Sequence, residues 1–111
     1  FDMDSDKKVF GQKLGATHAA EIAFTFNDFA SDQDHWLYDT KRSEVKELAT
    51  AWSQTVIQFA KTGEPNNAGL PFWPKFESLN GSTLILDETP RVEPDLDRDD
   101  VNTWKAAGIE I

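Results

Sequence analysis

The stretch from Ser43 to Pro65 constrains the fold of this chain more than any other. Val45, Leu48, Ala49, Trp52, Val56, Phe59 and Ala60 recur at spacings of three and four, which puts them on one apolar stripe of a helix. The ends of that helix are legible. Ser43 offers an N-cap hydroxyl, although Lys46 stands at the third helical position, where a reciprocal capping box needs Glu or Gln. Gly63 closes the helix, Lys61 complements the negative end of its dipole, and Pro65 forbids continuation. No other segment carries an apolar face of matching size. The helix is therefore expected to pack against something larger than this chain provides.

The remaining segments are shorter. Phe1 to Met3 reads as the end of a strand, followed by a polar stretch over residues 4–8 and a loop through Gly11 and Gly15 to His18. A chain that opens on a strand end is expected to be the rear part of a longer one. Ile22, Phe24 and Phe26 alternate with Ala23 and Thr25, a pattern that fits a short strand or one to two helical turns. Residues 30–42 are polar and irregular, with Trp36, Leu37 and Tyr38 as an apolar anchor. Residues 66–76 form a loop punctuated by Pro and Gly, expected to pack through Phe72, Trp73 and Phe76. Asn80 and Gly81 turn the chain into a strand over Thr83 to Leu86. Asp97 caps a last helix running toward Ala107, closed by Gly108, with Val101 and Trp104 as its buried side. There is no internal repeat, low-complexity tract or second domain.

Composition excludes several classes. At 111 residues the chain holds one domain at most. Four Trp and eight Phe demand burial, so disorder is not the expected state. Eleven basic against twenty acidic side chains give a net charge of -9, which repels phosphate backbones and anionic membranes alike. Neither nucleic acid nor membrane is expected as a partner. No apolar run spans a bilayer, and the first residues lack the basic and apolar regions of a signal peptide. Any targeting segment is expected upstream or already removed, and the sequence specifies no compartment. The absence of cysteine excludes a disulfide framework, a thiol nucleophile and thiolate metal sites within the chain.

His18 is the candidate for chemistry. It stands in the run Leu14, Gly15, Ala16, Thr17, His18, Ala19, Ala20, Glu21, Ile22, Ala23, Phe24, Thr25, Phe26. Small neighbours leave the imidazole uncrowded, and Gly15 permits a turn that other residues resist. Taken alone, such a histidine is as often structural as catalytic. A second run, Phe59, Ala60, Lys61, Thr62, Gly63, Glu64, Pro65, Asn66, is followed by Gly69, Leu70, Pro71, Phe72, Trp73, Pro74, Lys75, Phe76. In this order and spacing the runs resemble the C-terminal part of a type-B carboxylesterase, the cholinesterase-like branch of the α/β-hydrolases. The resemblance spans most of residues 14–76, continues weakly to Trp104, and is poorest over residues 30–42. Secreted animal members usually carry disulfides, so the absence of cysteine resembles the bacterial members more.

The resemblance implies an α/β class, with residues 1–111 as the C-terminal segment of a single α/β-hydrolase domain that does not fold autonomously. It tips residues 22–26 toward a helical turn beneath the active-site loop. It implies His18 as the catalytic histidine of a triad in the order Ser, Asp or Glu, His, hydrolysing small-molecule carboxylic esters without cofactor or metal. The imidazole would take the serine proton and return it to the leaving alcohol, a task for a group that titrates near neutrality. No Ser in this chain has the flanking glycines of a nucleophile elbow. Serine, acid and oxyanion hole are thus expected on an upstream part of the same esterase, on this polypeptide or a separate one, and this chain alone is expected to be inactive.

Other candidates have simpler readings. Glu21, three residues after His18, is expected to stabilise the loop locally rather than serve as the triad acid. A metalloprotease helix would need a second His at helical spacing, which is absent. His35 reads as a surface residue. Asp2, Asp4 and Asp6, like Asp95, Asp97 and Asp99, imitate the start of a calcium loop. Both sets lack the glycine at loop position six, where Lys7 and Asp100 stand, and the terminal Glu, replaced by Lys13 and Ala106. Trp36, Trp52, Trp73 and Trp104 read mostly as packing residues. Two further readings stay open: a non-catalytic binding module of the same fold, and an autonomous acidic interaction domain, which would melt cooperatively by itself.

Overall fold

The computed structural model describes residues 1–30, 37–77 and 81–109. In chain order these form strands β1 (Lys8–Val9) and β2 (Gln12–Lys13), helices α1 (Ile22–Phe26) and α2 (Ser43–Thr62), strands β3 (Ser82–Ile85) and β4 (Arg91–Pro94), and helix α3 (Arg98–Ala106). Trp36 and His35 lie outside the described residues.

Helix α2 ends as its sequence dictates. Gly63 adopts φ 75°, and its N–H donates to the Phe59 carbonyl at 2.8 Å. The start is displaced by one residue from the expected cap. Ser43 is already helical and exposed, and the N-cap is Arg42, extended at φ -66°, ψ 131° with no side-chain cap bond. The Arg42 guanidinium fixes the entry instead, through ion pairs with Asp6, Glu44 and Glu88.

The apolar stripe of α2 divides in two. Val45, Leu48 and Ala49 are buried, with Ala51 and Thr55 beside them, whereas Phe59 is 57% exposed and Ala60 is exposed. Helix α1 covers the first half. Its period settles the ambiguity of residues 22–26, because a strand would bury Ile22, Phe24 and Phe26 together. Instead Ala23 and Phe24 are buried while Ile22 and Phe26 face out. Asn27 closes α1 in the left-handed conformation, and the Trp52 indole donates to the Thr25 hydroxyl at 3.0 Å across the two helices. Phe24 fills the centre of the core with Met3, Leu37, Tyr38, Val45, Leu84 and Leu86.

Strand β3 is buried at Ser82, Leu84 and Ile85, and pairs antiparallel with β4 from Ser82↔Pro94 to Ile85↔Arg91. Residues 1–3, expected as a strand end, do not form a strand, although just past β3 the Asp2 N–H donates to the Leu86 carbonyl at 2.8 Å and lays the first residues beside it. Strand β4 was hidden in the sequence by Pro94, which only an edge strand tolerates. The expected loop through Gly11 is a hairpin: Phe10 at φ 51° and Gly11 at φ 82° join β1 to β2. Phe10 masked it, since this turn usually places Asn or Asp at that position.

Helix α3 forms where expected, but its supposed buried side is open. Trp104 is 53% exposed, Val101 only half-buried, and Asp97 makes no side-chain cap bond; no other helix or strand of the described residues packs against α3. The radius of gyration is 16.1 Å, against roughly 13 Å for a compact domain of this length. Residues 66–76 are only partly packed. The Asn66 amide accepts from the Trp73 N–H at 2.7 Å and donates to its carbonyl at 2.9 Å, holding Trp73 half-buried, while Phe72 and Phe76 stand out. With Trp52, Val56 and Phe59 they wall an apolar groove of about 860 Å³.

Candidate active site

His18 opens a turn over residues 18–21 that leads directly into α1. Two backbone bonds shape it, Ala20 N–H to the Thr17 carbonyl and Ile22 N–H to the Ala19 carbonyl, each 3.2 Å. Ala19 takes φ 64° and Gly15 φ 68°. A left-handed alanine is held against its own preference, so the surrounding packing enforces this turn. Immediately after it come Ala20, Ala23 and Phe24, all buried. The imidazole itself is exposed and engages in no hydrogen bond or ion pair among the described residues. A well-anchored turn thus presents an unengaged histidine.

The neighbours divide as the sequence suggested, with one difference. Glu21 forms no bond with His18, nor does its carboxylate stabilise the loop by hydrogen bonding. Its carbonyl does so, accepting the Thr25 N–H at 2.8 Å and the Thr25 hydroxyl at 3.1 Å. Among the described residues no serine bonds His18, and Ser5 is wholly buried with its hydroxyl on the Lys7 carbonyl. The first acidic triplet is held by cations, Asp2 by Arg91, Asp4 by Lys13 and Asp6 by Arg42, and in the second Asp95 pairs with Arg98. The Arg98 pair, helped by the Gly81 N–H, holds the Asp95 carboxyl below its usual range. No group of three or more His, Asp or Glu side chains among the described residues is arranged so that it could hold a metal ion. No helix there is long and apolar enough to cross a membrane.

Sequence reasoning named Tyr38 only as an anchor, yet it joins the core to this site. Its ring stands 5.0 Å from Phe24 with the planes at 87°, and its hydroxyl donates to the Met3 carbonyl at 3.2 Å. Burial, then the nearby charges of Asp6, Asp4 and Glu21, push the hydroxyl from 10 up to about 12. A group whose folded value is raised stabilises the fold fully below its unfolded value and loses that contribution as pH climbs toward the folded one. Stability is therefore expected to fall between pH 10 and about 12, by something on the order of 2 kcal/mol. Melting temperatures of the complete protein and of Tyr38→Phe check this. The two curves should converge through that window, and parallel curves would refute it.

The Carboxylesterase family model matches residues 1–104, nearly the whole described chain. The chain belongs to the carboxylesterase family. Among its curated relatives, it is 37% identical over 78 residues to carboxylesterase 3 of Pongo abelii, covering 68% of this chain and 14% of that protein. It is 32% identical over 93 residues to phenmedipham hydrolase of Pseudarthrobacter oxydans, covering 78% and 18%. The carboxylesterase EST55 of Geobacillus stearothermophilus superposes with a TM-score of 0.72 at 26% identity, covering 92% of this chain and 20% of that one. A thermophilic PNB esterase gives a TM-score of 0.77 at 25% identity, covering 91% and 20%. This carboxylesterase chain thus carries part of an α/β-hydrolase fold and spans less than a fifth of these curated relatives. Its extended shape, uncovered α3 and apolar groove are what a part of such a fold exposes.

Proposed function

We propose that this chain is the C-terminal, histidine-bearing segment of a serine carboxylesterase. His18 is the general base that takes the proton of a serine hydroxyl and the acid that returns it to the departing alcohol. The serine and the orienting acid belong to the rest of the esterase, as does the oxyanion hole, and the substrate is a small carboxylic ester. One observation carries this reading: the imidazole is exposed and unengaged on a turn whose backbone is strained and firmly anchored. A structural histidine is expected to hydrogen-bond its surroundings, whereas a triad histidine keeps both ring nitrogens for partners that this chain lacks. Membership of the carboxylesterase family supports the same reaction class.

A fluorophosphonate probe, which labels only an activated serine, tests the assignment. The complete protein is expected to take up one equivalent and lose esterase activity, while the chain of residues 1–111 alone takes up none and hydrolyses no p-nitrophenyl ester. Ester turnover by the isolated chain would refute the division of the triad. A folded complete protein that takes up no probe would instead belong to the non-catalytic binding modules of this fold.

A further inference from the structure

The turn bearing His18 has an anchor on each side. Downstream it is tied to the core by Ala20, Ala23 and Phe24. Upstream the Gly15 carbonyl accepts the N–H of Ser5 at 3.4 Å, so the turn inherits the position of residues 2–6. That segment is secured along its length. Asp2 donates to Leu86, the Met3 carbonyl accepts from Tyr38, Asp4 pairs with Lys13 at 3.5 Å, and the Asp6 N–H donates to the Leu37 carbonyl at 2.8 Å. At its end one Asp6 carboxylate oxygen accepts the Asp39 N–H at 2.7 Å, and the other accepts the Arg42 guanidinium at 2.6 Å. Arg42 also pairs with Glu88, in the turn between β3 and β4, and with Glu44 at 3.9 Å. One side chain, only 25% exposed, thereby joins the segment preceding the His18 turn, the start of α2 and the sheet.

The geometry points to Arg42, clamped between Asp6 and Glu88, as a positioning residue that sets the imidazole of His18 in line for proton transfer. The inference rests on the reading of His18 as the catalytic histidine. An isolated ion pair at a surface contributes little, but this guanidinium separates three carboxylates. Without it Asp6, Glu44 and Glu88 repel one another, and Asp6 retains only the Asp39 N–H. The hydrogen bonds of Glu88 and then Asp6 hold the guanidinium further into its charged range. Proton transfer between serine and imidazole is steep in distance, and a displacement of about 1 Å costs roughly 100-fold.

The test uses the complete esterase with Arg42→Gln, Arg42→Lys and, as a milder change that keeps the Asp39 bond, Asp6→Asn. Arg42→Gln is expected to lower kcat by about 10- to 100-fold with KM nearly constant, and Arg42→Lys to restore part of that loss. Asp6→Asn is expected to lower kcat in the same manner and to decide the matter if the Gln variant does not accumulate folded. On a His18→Ala background, Arg42→Gln is expected to add no further loss, because both changes act through the same imidazole. A wild-type kcat in Arg42→Gln, a change confined to KM, or an undiminished further loss on the His18→Ala background overturns the inference. If His18→Ala abolishes turnover while Arg42→Gln does not touch it, the clamp alone fails. If neither change touches it, the catalytic reading fails and the clamp with it.

Discussion

Replacing His18 with Ala in the complete protein is expected to lower kcat by about four to six orders of magnitude while the fold stays intact. Each decade corresponds to about 1.4 kcal/mol, so the lost transition-state stabilisation amounts to about 5–8 kcal/mol. The folded state should lose almost nothing. The imidazole is exposed and contributes no hydrogen bond among the described residues, and surface changes of that kind usually fall within about 0.5 kcal/mol. The two effects differ by an order of magnitude, so melting temperature and turnover, measured on the same preparation, separate a catalytic role from a structural one. Loss of the fold together with activity would identify a structural histidine, and an unchanged kcat would remove His18 from the mechanism.

The site was legible in the sequence only as a residue type in a favourable loop. His18 and Gly15 could be singled out because a flexible turn beside an imidazole is a local pattern. The clamp on that turn could not, because Asp6, Arg42 and Glu88 are far apart in the chain and meet only through tertiary structure. The same division runs through the fold. Helix α2 and its glycine cap are local features, and Gly63 behaves as its neighbours dictate. The entry to α2 departs from local rules where a tertiary ion pair replaces the serine cap. Phe10 and Pro94 are poor residues for a hairpin turn and a strand, and there backbone pairing overrode propensity. Burial was misjudged for Trp104, because a pattern shows which side chains want cover without showing what covers them, whereas the open Phe59 agrees with a stripe expected to lack a matching partner in this chain.

Phe24 is the point at which stability and site are expected to fail together. Its side chain is wholly buried, with Phe1, Phe29 and Tyr38 around it at ring distances of 5.0 to 5.2 Å, Phe29 and Tyr38 edge-on. Truncation to Ala removes the transfer energy of the ring and leaves a cavity lined by residues already fixed by other contacts. Tyr38 is held by Met3 and α1 by Trp52, so the cavity collapses poorly. A cost of about 3–5 kcal/mol follows, and the edge-on ring pairs place it toward the upper end. Phe24→Leu, which refills most of the volume, should cost less than about half as much. Because α1 has only five residues, its helical bonds cannot sustain it once this anchor is lost. Hydrogen exchange on the complete protein is the sensitive measurement. Amides of α1 should exchange about 100- to 4,000-fold faster in Phe24→Ala, since each 1.4 kcal/mol of local opening is a factor of ten. The His18 turn loses its downstream anchor in the same event, so kcat should fall in Phe24→Ala and largely persist in Phe24→Leu. Unchanged protection of α1 would mean that the pocket collapses around the smaller side chain, and that Phe24 does not hold the turn in place.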